Sequence, residues 1–226
     1  MRRAFSFSDS RGLPPETMAN RLRLIVGLGN PGRGYASTRH NAGAWFVERL
    51  ARNLATDFRA EAKFHSLVAG SEPKLALPQT FMNRSGLGVA ALARFYRIAP
   101  GEILVAHDEL DLKPGSVKLK HGGGLAGHNG LKDVADALAT GDFWRLRIGI
   151  GHPRDGALSE QEVADYVLRS PSEADRVAID DAIGRAMAVW PRLSAGETER
   201  AMHELHTRPA AGTVEKGGPT DGKAIP

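Results

Sequence analysis

Cysteine is absent from all 226 residues, which removes disulfides, thiolate nucleophiles and cysteine-ligated zinc together. A serine nucleophile lacks its usual setting as well, because no G-x-S-x-G elbow occurs anywhere in the chain. Histidine pairs at metal-ligand spacing are missing too: His203 and His206, in HELH, fall one residue short of the zinc-protease pattern. No metal is therefore assigned. No stretch approaches the roughly 20 apolar residues a membrane helix needs, and the opening MRRAFSFSDSRGLPPETMAN has no apolar signal region. These absences lead to the expectation of a soluble cytoplasmic protein with a non-globular leader over residues 1–20. The end, TRPAAGTVEKGGPTDGKAIP, is poor in large apolar residues and is expected to be a disordered tail over 208–226.

What remains is enough for a core. Hydrophobic residues make up 42% of the chain, and the length between leader and tail, residues 21–207, suits one domain. LRLIVGL, at 22–28, is an apolar run ending in glycines, as expected of a buried strand. A helix is expected over 41–58, strands over 64–70 and 74–77, a helix over 85–97 and a strand over 103–107. Further strands at 116–120 and 143–150 flank a helix at 129–139. Residues 159–169 and 172–206 read as helical, with Pro191 bending or ending the longer one. Interleaved strands and helices predict a single-domain three-layer α/β/α sandwich with a mixed, mostly parallel central sheet.

GLGNPG spells G-x-G-x-x-G directly after the first strand, the dinucleotide-binding fingerprint. That motif needs a helix to open at once, whereas Pro31-Gly32-Arg33-Gly34 keeps the chain irregular, so a loop presenting Asn30 is the better reading. Asn30 and Asp108 both sit at the carboxyl ends of apolar strands, where open α/β sheets bind ligands. His40, in STRHNAGA, lies beside Arg39 at a helix mouth; both features disfavour a proton on the ring and leave a base able to take one from water. Asp108 is placed to fix that ring's tautomer and to stabilise its imidazolium. Asn83 and Asn129 each stand where a helix cap is the ordinary explanation, yet their recurrence at such junctions gives a donor and acceptor set suited to a peptide backbone.

Charge supplies the remaining clue. The formal net charge is only +4, but no acidic residue occurs from Leu112 to Lys132, where Lys113, Lys118, Lys120, Lys132 and three successive glycines lie. Lys118 and Lys120 share one strand face, a pattern repeated by Arg145 and Arg147 and suited either to a phosphate backbone or to a solvated surface. From residues alone the reading is a hydrolase with a histidine base, water as nucleophile, an amide-lined cleft and a basic flank.

GLGNPG, TRHNAG, TFMNRSG, HDELD, GGGLAGHNGLKD and RLRIGIGHP, in this order from Leu22 to His206, closely resemble bacterial peptidyl-tRNA hydrolases. The resemblance implies cleavage of the ester that joins a stalled peptide to the terminal ribose of tRNA, with no cofactor, by a monomer. It implies His40 as catalytic base, Asp108 as its supporting acid and Asn30 as the residue distinguishing blocked from free aminoacyl ends. Asn83 and Asn129 match substrate-binding amides, Tyr35 and Phe81 line the same site, and Lys118 and Lys120 belong to the tRNA-contacting flank. Arg84 stands where the family often has an apolar residue, which implies an altered cleft edge. The alternative from another class is a non-hydrolytic RNA-binding protein of the same fold, like the intron-splicing relatives of plant chloroplasts.

Overall fold

The computed structural model describes residues 21–153 and 160–207. The expected leader and tail lie outside the described residues, as does residue 159. Seven strands form one sheet: β1 (Leu24–Gly27), β2 (Arg59–Glu61), β3 (Ser66–Ala69), β4 (Lys74–Pro78), β5 (Ile103–Glu109), β6 (Val117–His121) and β7 (Trp144–Gly149). Their order is β2-β3-β4-β1-β5-β7-β6. The central strands β4, β1, β5 and β7 run parallel, and antiparallel β2 and β3 extend one side while β6 closes the other.

Helices cover both faces. On one, α1 (Ala42–Asn53), α5 (Glu173–Ala188), α6 (Trp190–Ser194) and α7 (Thr198–Thr207) bring Phe46, Leu50, Ile179, Ile183, Leu193 and Leu205 onto Ile25, Leu104 and Leu146. On the other, α2 (Ser85–Tyr96) and α3 (Asn129–Leu138) bring Val89, Leu92, Leu131 and Val134 onto Leu24, Val26 and Val105. Leu24, Ile25 and Val26 thus send consecutive side chains into opposite layers, which is why the inner strands read as unbroken apolar runs. The remaining helix, α4 (Glu160–Val167), lies beside the cleft described below. The expected three-layer α/β/α sandwich is the fold observed.

Several element bounds differ from the sequence expectation. The first helix stops at Asn53, and the segment before β3 holds an unexpected short strand, β2, followed by a 3-10 turn at Ala62–Phe64. Arg59 and Glu61 leave β2 no apolar alternation to betray it. The expected helix over 172–206 is three helices. Pro191 falls in the first turn of α6, where its missing N–H costs nothing, so it begins a helix rather than bending one. Gly196, at φ +81°, makes the second break.

Close approach of backbones sets the central spacing. A Cβ on Gly43 of α1 would overlap the Ala106 carbonyl of β5, and one on Gly86 of α2 would overlap the Asp133 carbonyl of α3. Glycine at these two positions draws α1 onto β5 and α2 onto α3, so that loops from four elements converge. Along the outer side of β6, the Leu119 N–H donates to His206 Nε2 at 3.1 Å, tying α7 to the strand.

Candidate active site

The chain leaves β1 through Gly29 and Asn30 and stays irregular to Thr38, reaching a 3-10 turn at Arg39–Asn41 before α1 begins. No helix opens at Gly32, so the amide cradle that a dinucleotide fingerprint requires does not form. Asn41 holds this loop instead. Its Oδ1 accepts the Asn30 N–H at 2.9 Å and its Nδ2 donates to the Asn30 carbonyl at 3.0 Å. Asn30 Oδ1 in turn accepts the Met82 N–H at 2.8 Å, leaving the Asn30 NH2 as the group free for a ligand.

His40 sits in that 3-10 turn and meets Asp108 near the end of β5. Its Nδ1 lies 3.0 Å from each carboxylate oxygen. A second histidine reaches the same carboxylate: His128 Nε2 is 3.0 Å from Asp108 Oδ1. His128 caps α3, its Nδ1 accepting the Leu131 N–H at 3.3 Å, which assigns the ring proton to Nε2 and turns it toward Asp108. Asp108 is thus a buried acceptor between two imidazole donors, with His40 Nε2 left over as a free base.

This arrangement corrects the expected electrostatics of His40. Burial lowers its pKa, but the Asp108 charge and hydrogen bond outweigh burial, and the net displacement is upward from the ordinary histidine value. Arg39 does not oppose this, because its guanidinium points away to the carbonyls of Tyr166, Arg169 and Ser170. For Asp108, burial pushes the carboxyl up, and the charges and hydrogen bonds of His40 and His128 hold it well below the usual carboxylate range. His107, wholly buried beneath the site, is lowered to about 3 by burial and by His128 beside it. Its Nδ1 donates to the Asp108 carbonyl at 2.7 Å, which helps to fix the carboxylate's backbone.

His40, Asp108 and His128 bring three possible ligand atoms within 4.8 Å of one another. Nothing in the sequence announces this cluster, because His128 lies 20 residues from Asp108 and 88 from His40, at no metal-ligand spacing. The hydrogen bonds argue against a metal there: with its proton on Nε2, His128 has no lone pair to offer where the cluster converges.

The cleft around these groups has a volume of about 670 Å³. Asn30, Tyr35, His40, Phe81, Asn83, Asp108, His128 and Asn129 line it together with Val163, Ala164, Val167 and Leu168 of α4 and the residue after it. Neither Asn83 nor Asn129 is a helix cap; Asn83 lies within a 3-10 turn and Asn129 follows the His128 cap, so both amides are spare. Tyr35 and Phe81 meet edge to face with ring centres 6.3 Å apart, and Phe81 is 59% exposed at the rim. Arg84 is exposed and stands outside the lining residues.

Lys118 and Lys120 project outward from β6, away from the cleft lining. Their expected companions on β7 behave differently. Arg145 is 1% exposed and donates to the carbonyls of Gly122 and Gly124, bracing the glycine loop from below. Arg147 is paired with Glu109 at 2.8 Å. A period-two pattern identified the shared face but not these buried partners. His128 and Asn41 are site residues that the sequence does not single out; for both, the only local signal is a polar side chain next to a residue already named.

Comparison with known proteins gives one consistent answer. The family model "Peptidyl-tRNA hydrolase" matches residues 24–212. Peptidyl-tRNA hydrolase of Aromatoleum aromaticum is 56% identical over 192 residues, covering 84% of this chain and 96% of its own, and that of Azoarcus sp. is 54% identical over 191 residues, covering 83% and 86%. A crystal structure of peptidyl-tRNA hydrolase from Acinetobacter baumannii superposes with a TM-score of 0.81 at 44% identity, covering 85% of this chain and 98% of that one. On sequence and fold together, this chain belongs to the peptidyl-tRNA hydrolase family.

Proposed function

We propose that the protein hydrolyses the ester between a peptide and the terminal ribose of tRNA, with His40 as general base. The observation that carries this reading is the His40 Nδ1 contact to both Asp108 oxygens at 3.0 Å, which leaves Nε2 unengaged in an amide-lined cleft.

His40 Nε2 takes a proton from water as its oxygen attacks the ester carbonyl. The imidazolium so formed is stabilised by Asp108, whose other bond, from His128, keeps the carboxylate aimed. Amide NH2 groups of Asn30, Asn83 and Asn129 bind the peptide backbone and the developing oxyanion. As the tetrahedral intermediate collapses, the C–O bond to ribose breaks and the imidazolium returns its proton to the leaving ribose oxygen. Peptide acid and tRNA alcohol are released, and no external reductant, oxidant or nucleotide is consumed.

Phe81 and Tyr35 offer aromatic faces at the rim to the terminal base or to a peptide side chain. The exposed Lys118 and Lys120 supply the phosphate-binding flank. The test is release of tRNA from a defined N-blocked aminoacyl-tRNA. His40→Ala is expected to lower kcat by roughly 100- to 10,000-fold with the fold intact by circular dichroism. Full activity in that variant would reject the assignment, and an inactive wild type that still binds tRNA would favour the splicing-factor-like alternative.

A further inference from the structure

Arg39 is 8% exposed, adjacent to the base in sequence, and unused by the chemistry above. Its Nη1 donates to three carbonyls in the last turn of α4 and just beyond: Tyr166 at 3.5 Å, Arg169 at 3.2 Å and Ser170 at 3.0 Å. Its Nη2 lies 3.5 Å from Asp175 Oδ2, its guanidinium carbon stacks 4.2 Å from the centre of the Tyr166 ring, and its backbone N–H donates to the Arg169 carbonyl at 3.1 Å. Two residues earlier, Ser37 Oγ meets Ser170 Oγ at 2.9 Å. The turn that carries His40 therefore holds the carboxyl end of α4 by side chain and backbone at once.

The same short helix lines the cleft with Val163, Ala164 and Val167, followed by Leu168, which is 41% exposed. The spacing i, i+1, i+4, i+5 puts these side chains on one face. A helix of eight residues has no stability of its own in water, and its last carbonyls carry partial negative charge without intrahelical partners. Its position therefore depends on tertiary anchors, among which Arg39 contributes three side-chain hydrogen bonds and Tyr166 Oη, donating to the Ile150 carbonyl at 2.7 Å, one more.

We infer that Arg39 is a positioning residue that seats the apolar α4 wall against the His40 turn and thereby sets the grip of the cleft on apolar peptide side chains. This rests on the hydrolase reading above. The planar fork is essential, because one lysine ammonium cannot serve three carbonyls, a carboxylate and a ring face together. Arg39 bonds to α4, the segment after it and Asp175, whereas His40 bonds to Asp108, so binding of the peptide and chemistry at the ester separate in kinetics.

Steady-state hydrolysis of tRNA carrying N-acetylglycine and of tRNA carrying N-acetyl-leucyl-leucine tests the inference in wild type, Arg39→Lys and Asp175→Asn. For Arg39→Lys the expected result is a KM for the leucyl substrate raised about threefold to tenfold. The glycyl KM, both kcat values and the pH midpoint of kcat/KM stay within about twofold of wild type or unmoved. Asp175→Asn, at a half-exposed site, keeps Arg39 in place and is expected to give the same selective change at smaller size, which preserves the test should Arg39→Lys fold poorly. Equal KM rises for both substrates, a fall in kcat with a displaced pH midpoint, or no change in either variant would overturn the inference. Wild type inactive on both substrates would instead overturn the hydrolase reading itself.

Discussion

Asp108 accepts hydrogen bonds from two histidines, and the consequences for the two rings differ. His128 is oriented by the Leu131 N–H and serves as a fixed donor, whereas His40 has one nitrogen on the carboxylate and one facing the cleft. Because the His40 pKa is raised, its imidazolium contributes stability below the unfolded-state value of 6.5, and that contribution is lost as pH rises through the folded value. Under the proposed mechanism activity runs the other way, since a general base must be unprotonated. In Asp108→Asn the raising influence disappears and burial alone remains, so the rising limb of kcat/KM against pH is expected to move to lower pH. The plateau should fall roughly 100- to 10,000-fold. An unmoved limb in that variant's pH profile would mean that another group titrates.

At this scale the sequence identifies the residues and the pairing of His40 with Asp108, but neither the second histidine on that carboxylate nor the direction of Arg39. His40, Asp108, Asn30, Asn83 and Asn129 stand out because polar side chains at strand ends and helix entrances face a crevice whatever the details of packing. Which of Arg39 and Asp108 governs His40 depends on the direction of a guanidinium, and that is decided by α4, over a hundred residues along the chain. His128 likewise gives no sign of its role in the sequence until the fold brings it to Asp108.

Between elements, the decisive contacts are those with no side chain in between. Gly43 lies three residues after His40, and Ala106 lies two before Asp108, so the contact of α1 with β5 fixes the spacing of base and acid. Gly43→Ala is expected to destabilise the protein by about 1–3 kcal/mol in chemical denaturation. It should also lower kcat more than an equally destabilising substitution elsewhere on α1, because relief of the overlap parts the two side chains; a loss of stability with unchanged kcat would refute this coupling. The elements themselves were legible wherever apolar periodicity was strong, as in β1, β5, α1 and α3. They were missed where it was weak: β2 has only Arg59, Ala60 and Glu61, and the breaks at Pro191 and Gly196 lie within an otherwise helical pattern.

For the molecule as a whole, charge is distributed by role. Arg39, Arg145 and Arg147 are committed to internal carbonyls and carboxylates, while Lys118 and Lys120 remain in solvent on β6. Replacing both lysines by alanine is expected to weaken tRNA binding at low salt and to reduce the slope of log Kd against log salt by roughly one to two units, one phosphate contact for each lysine. A slope equal to that of wild type would assign the RNA flank elsewhere.

The ring nitrogen that His206 lends to Leu119 occupies one outward N–H of β6, and β2 at the far side is three residues long, so both margins of the sheet are short. A catalyst supplied with unfinished polypeptides meets extended backbone in search of pairing partners at every turnover. With margins this short, the sheet gives such chains few rungs to pair with outside the cleft.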